Sequence, residues 1–184
     1  MSTRTRLITA DDFLTWPDEP GCRQELIRGE VVTMTLPGGE HGEIALQIAH
    51  LILAHVKPLK LGKVYAAETG FIVERDPDTV RGADVAYYSY ARLPKGPLPA
   101  GYGPEVPELV IEVRSTSDSW RDILVKVGEY LAAGVLKVIV LDPRSRKAHI
   151  YSADEEPEVL GPEDELTVPE LLGEFQVAVH RFFD

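Results

Sequence analysis

Residues 107–114 read Pro-Glu-Leu-Val-Ile-Glu-Val-Arg, and the reading of the five central ones decides the fold. Leu109 to Val113 is a short apolar run of the kind found in a central strand covered on both faces. One carboxylate, Glu112, interrupts it. Left without a partner in such a run, a carboxylate costs several kcal/mol to desolvate. The two-residue side-chain period puts Glu112 on the face of Val110 and Arg114. Three accounts of it stay open: a cation at the strand end pairs with it, an exposed edge solvates it, or the acid serves chemistry.

Downstream, Ser117 or Ser119 starts a helix that runs through Ala133 and stops at Gly134. Trp120, Ile123, Leu124, Val127, Tyr130 and Leu131 form its inner stripe. On a helical wheel Lys126 falls about 40° beyond Tyr130, at the rim of that stripe. A surface pairing with Asp122 at i−4 is one partner for it. The other is the strand that holds Glu112, where an ammonium could face a phosphate. Val135 to Leu141 reads as another buried strand, followed by a turn at Asp142 to Lys147 and a strand at Ala148 to Tyr151.

Upstream, Pro94 to Pro107 holds five prolines and three glycines, too many for regular structure. Before it come strands at Lys63 to Ala67, Gly70 to Glu74 and Gly82 to Tyr88, with a turn at Asp76 to Thr79. A helix follows the turn Leu36-Pro-Gly-Gly39: His41, Ile44, Ala45, Ile48, Leu51, Ile52 and His55 recur on one face, and Pro58 ends it. Gln24 to Ile27 and Glu30 to Met34 form a hairpin about Arg28-Gly29. Thr9 caps a short helix to Trp16. An acidic loop and a short helix or strand near Pro169 to Phe183 close the chain. The order implies an α/β sandwich around a mixed sheet in a single domain, with segments 1–35, 36–151 and 152–184.

Composition narrows the function. The 184 residues carry a formal charge of −11, which discourages a general nucleic-acid coat. Seven of the acids lie between Asp154 and Glu165 with no base among them, whereas Ser89 to Lys147 holds nine basic against seven acidic residues. One face can therefore still meet a polyanion. The single cysteine, Cys22, fits a reducing compartment, and neither a secretory leader nor an apolar span is visible, so a cytoplasmic, membrane-free protein is expected. No phosphate-binding glycine loop, dinucleotide turn, serine elbow or zinc-type histidine spacing occurs.

Asp84, in Arg81-Gly-Ala-Asp84-Val-Ala, is the second anomalous acid. If its strand neighbours that of Glu112, two carboxylates lie a few ångströms apart and need a cation between them. A hard ion such as Mg²⁺ is satisfied by two carboxylates, a main-chain carbonyl and waters.

The spacing Arg-Gly-Ala-Asp84-Val-Ala, then Pro-Glu-Leu-Val-Ile-Glu112-Val-Arg-Ser, then Lys126-Val-Gly-Glu-Tyr-Leu-Ala-Ala-Gly-Val resembles a bacterial family of restriction-endonuclease-like proteins with the PD-(D/E)XK nuclease fold. The Glu25-Leu-Ile-Arg-Gly-Glu hairpin, the Gly-Gly-Glu-His41-Gly helix start and the Glu68-Thr-Gly-Phe strand resemble its signatures too. The resemblance implies an αβββαβ core preceded by a helix and a hairpin. It makes Asp84 and Glu112 the metal ligands, joined by the carbonyl of Val113, with Mg²⁺ or Mn²⁺ as cofactor. The strand lysine of the usual pattern is replaced by Arg114, a candidate phosphate contact, and Lys126 is its substitute from the helix. Glu25, His41 and Glu68 are further candidates for the site, each with a structural hydrogen bond or cap as the plainer reading. The function implied is an endonuclease hydrolysing phosphodiester bonds of nucleic acid, DNA foremost, acting as a homodimer. Two other readings stay open: an inactive binding or interaction module on the same scaffold, and a hydrolase of small phosphate esters.

Overall fold

The computed structural model describes residues 6–97, 101–103 and 105–184, and of Glu68 the backbone alone. Thr9 caps α1 (Ala10–Leu14) through a reciprocal capping box with Asp12. This helix ends earlier than Trp16, because the Thr15 N–H already turns back to Asp12. β1 (Cys22–Ile27) and β2 (Glu30–Thr35) form the expected hairpin. Its two turn residues, Arg28 and Gly29, both have positive φ, 50° and 78°, the backbone twist that a two-residue hairpin requires.

Helix α2 (Gly39–Leu59) buries Ile44, Ile48, Ile52 and Val56 along one stripe. Pro58 does not end it. Its fixed φ is helical, and the helix closes instead at left-handed Lys60, whose N–H returns to the Lys57 and Val56 carbonyls. The two strands expected after it are one: β3 (Gly62–Glu74) runs through a register irregularity between Ala66 and Thr69 and a second between Ile72 and Glu74. At the first of these Ala67 has φ 59° and the Thr69 hydroxyl donates to the Ala66 carbonyl, which bends the strand without ending it.

β4 (Thr79–Ser89), β5 (Leu109–Val113), α3 (Trp120–Ala133) and β6 (Lys137–Asp142) complete the core. Ser119 caps α3 by accepting the Asp122 N–H, and Gly134 at φ 100° stops it. Among the described residues only β5 and β6 pair in parallel, and α3 is the crossover that joins them. β7 (Lys147–Tyr151) and β8 (Glu158–Leu160) extend the sheet in antiparallel fashion. The order is β2-β1-β4-β5-β6-β7-β8, with β3 paired to β4 as well.

Where the acidic composition predicts a loop, the chain supplies β8 and β9 (Glu165–Thr167). β9 is anchored by Leu166, which is fully buried between two exposed neighbours. It pairs with β10 (Gln176–Ala178) in a small second sheet, and α4 (Pro169–Leu172) lies between them in sequence.

Alternation on the central strands sorts the core onto two faces. Val85, Ile111, Val113, Ile139 and Leu141 pack with α2, and Leu166, Leu172, Phe175 and Phe182 of the C-terminal segment join them. Ala86, Val110, Val138 and Val140 pack with Ile123, Val127 and Tyr130 of α3. The sheet is thus covered on both sides, which explains why β5 reads as an unbroken apolar run apart from Glu112. No helix among the described residues is long and apolar enough to cross a membrane.

Candidate active site

The antiparallel ladder of β4 and β5 ends at the pair Val85–Ile111. The next residue on each strand is an acid: Asp84 on β4 and Glu112 on β5. Past this point the Val113 N–H donates to Asp84 Oδ2, at 2.7 Å, so a side chain takes a place the ladder would otherwise fill. The strands neighbour each other as the sequence reading required, and both acids are buried, 4% and 5% exposed.

Both oxygens of Glu112 are held from one helix. Lys126 Nζ lies 3.0 Å from Oε2, and the Tyr130 hydroxyl donates to Oε1 at 2.6 Å. Lys126 and Tyr130 are one turn apart on α3, so a single helix face aims both at the strand. Lys126 does not pair with Asp122, which instead accepts from the Ser119 hydroxyl. Its ammonium also donates to the Gly82 carbonyl at 3.3 Å and lies 3.4 Å from Glu25 Oε1.

Glu25, from β1, is built into the same cluster. It accepts from the Gly82 N–H and from Arg81 at 2.6 Å, and Arg81 in turn reaches Glu129 of α3 at 2.6 Å. On the other side His41, in the first turn of α2, places Nε2 3.1 Å from Asp84 Oδ2. The site therefore draws on β1, α2, β4, β5 and α3. A cleft of about 320 Å³ opens on it, lined by Glu25, His41, Arg81, Glu112, Val113 and Lys126 among others.

Charge in this cluster is unevenly matched. Burial pushes Glu112 up to about 7; the Lys126 ammonium opposes that shift, and the Asp84 charge adds to it. Burial also works against an ionised Asp84, but the His41 imidazole and the Val113 N–H outweigh it and hold that carboxyl below the usual range. Burial disfavours charge on His41 and Lys126 as well. The carboxylates outweigh it for both, and both are shifted upward. Burial and the Glu112 charge raise the Tyr130 phenol well above its ordinary value, so it stays a donor.

Glu112 is protonated more readily in the folded chain than in the unfolded one, so folding takes up a proton between pH 4.5 and about 7. Its contribution to stability therefore falls as pH rises through that window. Chemical denaturation at pH 5 and pH 8 is expected to show this loss in the wild type and a weaker one in Glu112→Gln. Equal slopes in the two proteins would refute the assignment.

Arg114 stands just past the end of β5. Its Nε and Nη2 donate to the Asp118 carbonyl, Nη1 pairs with Asp142 at 3.3 Å, and the guanidinium lies over the Trp120 ring. These contacts pin the turn between β5 and α3. The side chain of Glu68 lies outside the described residues. Sequence reasoning misses Tyr130 and Arg81 as members of the site. Tyr130 fits an apolar stripe as well as it fits a hydrogen bond, but its place at i+4 from Lys126 is a usable signal.

A mixed sheet between two helical layers, with acids where two central strands part and a lysine facing them, is the architecture of a nuclease-fold protein. A crystal structure described as a putative nuclease belonging to DUF820, from Anabaena variabilis, matches with a TM-score of 0.79. The match covers 96% of this chain and 97% of that one at 23% identity, a likeness of fold. Residues 10–180 match the Uma2 family, described as "Putative restriction endonuclease", and the chain belongs to that family. No curated protein matches it.

Proposed function

We propose that the chain is a divalent-metal-dependent nuclease that hydrolyses phosphodiester bonds of nucleic acid at the Asp84–Glu112 pair. The observation that carries this reading is two buried carboxylates on adjacent strands, one of them raised to about 7 partly by the other's charge. An excess of negative charge held in a buried place is relieved by a cation.

The residues fit such an ion by donor chemistry. Among the described residues no group of three or more His, Cys, Asp and Glu side chains forms a ready cage. Mg²⁺ does not need one, since it keeps several waters and takes few protein oxygens. Asp84, Glu112 and the Val113 carbonyl would hold it. The bonds that Lys126, Tyr130, His41 and the Val113 N–H make leave lone pairs on the carboxylate oxygens. When bound, Mg²⁺ or Mn²⁺ would supply Lewis acidity toward a phosphoryl oxygen and lower the pKa of a water.

The chain's own groups do the rest. Water forms a new bond to phosphorus as the bond to the leaving oxygen breaks, and the water's proton ends on that oxygen or in solvent. Lys126 faces the negative charge that grows on the phosphoryl oxygens. Glu25 and the Gly82 carbonyl hold its ammonium in place, and Tyr130 fixes the rotamer of Glu112. Arg114 positions the turn after β5.

The test is cleavage of labelled DNA and RNA, single- and double-stranded, with Mg²⁺ or Mn²⁺ and with EDTA. Metal-dependent cleavage supports the reading. Cation binding without any cleavage would favour a binding module on this scaffold instead.

A further inference from the structure

A second hollow, of about 290 Å³, is lined by Asp84 and by His41, and His41 also lines the carboxylate cleft. Its other walls are apolar or small: Ala45 and Leu46 at the start of α2, and Ala66 and Ala67 at the bend of β3. The two hollows differ in chemistry. One carries Glu25, Arg81, Glu112 and Lys126, whereas among the described residues that line the other only Asp84 and His41 can carry charge.

A phosphodiester placed at Asp84 has a nucleoside on each side of it. The apolar hollow is near the lower size limit of pockets that hold small organic molecules, roughly 300 Å³. It borders the place where the scissile phosphate belongs, and a nucleobase has an apolar face to offer it. Leu46 at its edge is 70% exposed, a large apolar surface that a base would cover. In a duplex the bases are stacked inside and cannot enter. The duplex also brings about one negative charge per 1.7 Å of axis, against a chain of net charge −11.

We propose that the substrate is single-stranded nucleic acid, with a base beside the scissile phosphate seated in the Ala45–Leu46–Ala67 hollow. This rests on the nuclease reading above and names its substrate class.

The experiment compares one fluorescein-labelled oligonucleotide, alone and annealed to its complement, in Mn²⁺-dependent cleavage and in equilibrium binding with Ca²⁺. The single strand is expected to be cut and bound at least about tenfold better, the scale of one lost base contact. Leu46→Glu should raise KM for the single strand by a similar factor. Val159→Glu, which adds the same charge on the outer strand β8, should change it far less. Equal or better handling of the duplex would overturn the proposal, as would equal effects of the two variants. If neither form is cut, the nuclease reading fails. The binding arm then still decides the hollow: a single-strand preference lost in Leu46→Glu upholds it, and no preference rejects it.

Discussion

Glu112→Gln and Asp84→Asn are each expected to reduce metal-dependent cleavage by about a thousandfold or more while the fold persists. Loss of a cation's charge stabilisation amounts to several kcal/mol in a barrier, and each 1.36 kcal/mol is about tenfold in rate. Both substitutions keep size and shape. In Asp84→Asn the amide oxygen can still accept the Val113 N–H, and in Glu112→Gln it can still accept from Tyr130, so the strand splay survives. Circular dichroism and a cooperative melt serve as the control for folding. If either variant keeps more than about a tenth of the wild-type rate, its acid is not a ligand in the reaction.

The second large effect concerns stability. Arg81 is 7% exposed and bridges Glu25 and Glu129, with 2.6 Å contacts to each. Arg81→Met leaves Glu25 buried with only Lys126 and the Gly82 N–H to balance it. Breaking a buried pair from one side costs about 3–5 kcal/mol. In a chain of this length that lowers Tm by about 10 °C. Adding Glu25→Gln removes the stranded charge and should recover part of the loss. A thermal melt checks both variants. A shift below about 2 °C for Arg81→Met would show that the cluster does not hold the site together.

Much of this arrangement is legible in residue types standing in the wrong surroundings. Glu112 in an apolar strand and Asp84 at the head of another advertise themselves by the desolvation each implies. Lys126 shows only as a rim position, because a wheel gives direction around a helix and not the approach of the strand beside it. The reach of His41 to Asp84 depends on how closely the first turn of α2 approaches the end of the β4–β5 ladder, a tertiary distance with no local signature. Arg81 is hidden for the same reason: its partners come from β1 and α3, 56 and 48 residues away. The continuous strand β3 reads as two because Ala67 and Thr69 look like a break, while a bulge continues the ladder.

The central claim is that a divalent cation belongs between Asp84 and Glu112. Isothermal titration with Mn²⁺ tests it without reference to any substrate. Binding to the wild type is expected, and its loss in both Asp84→Asn and Glu112→Gln. A wild type that takes up no Mn²⁺, or variants that take it up unchanged, would contradict it.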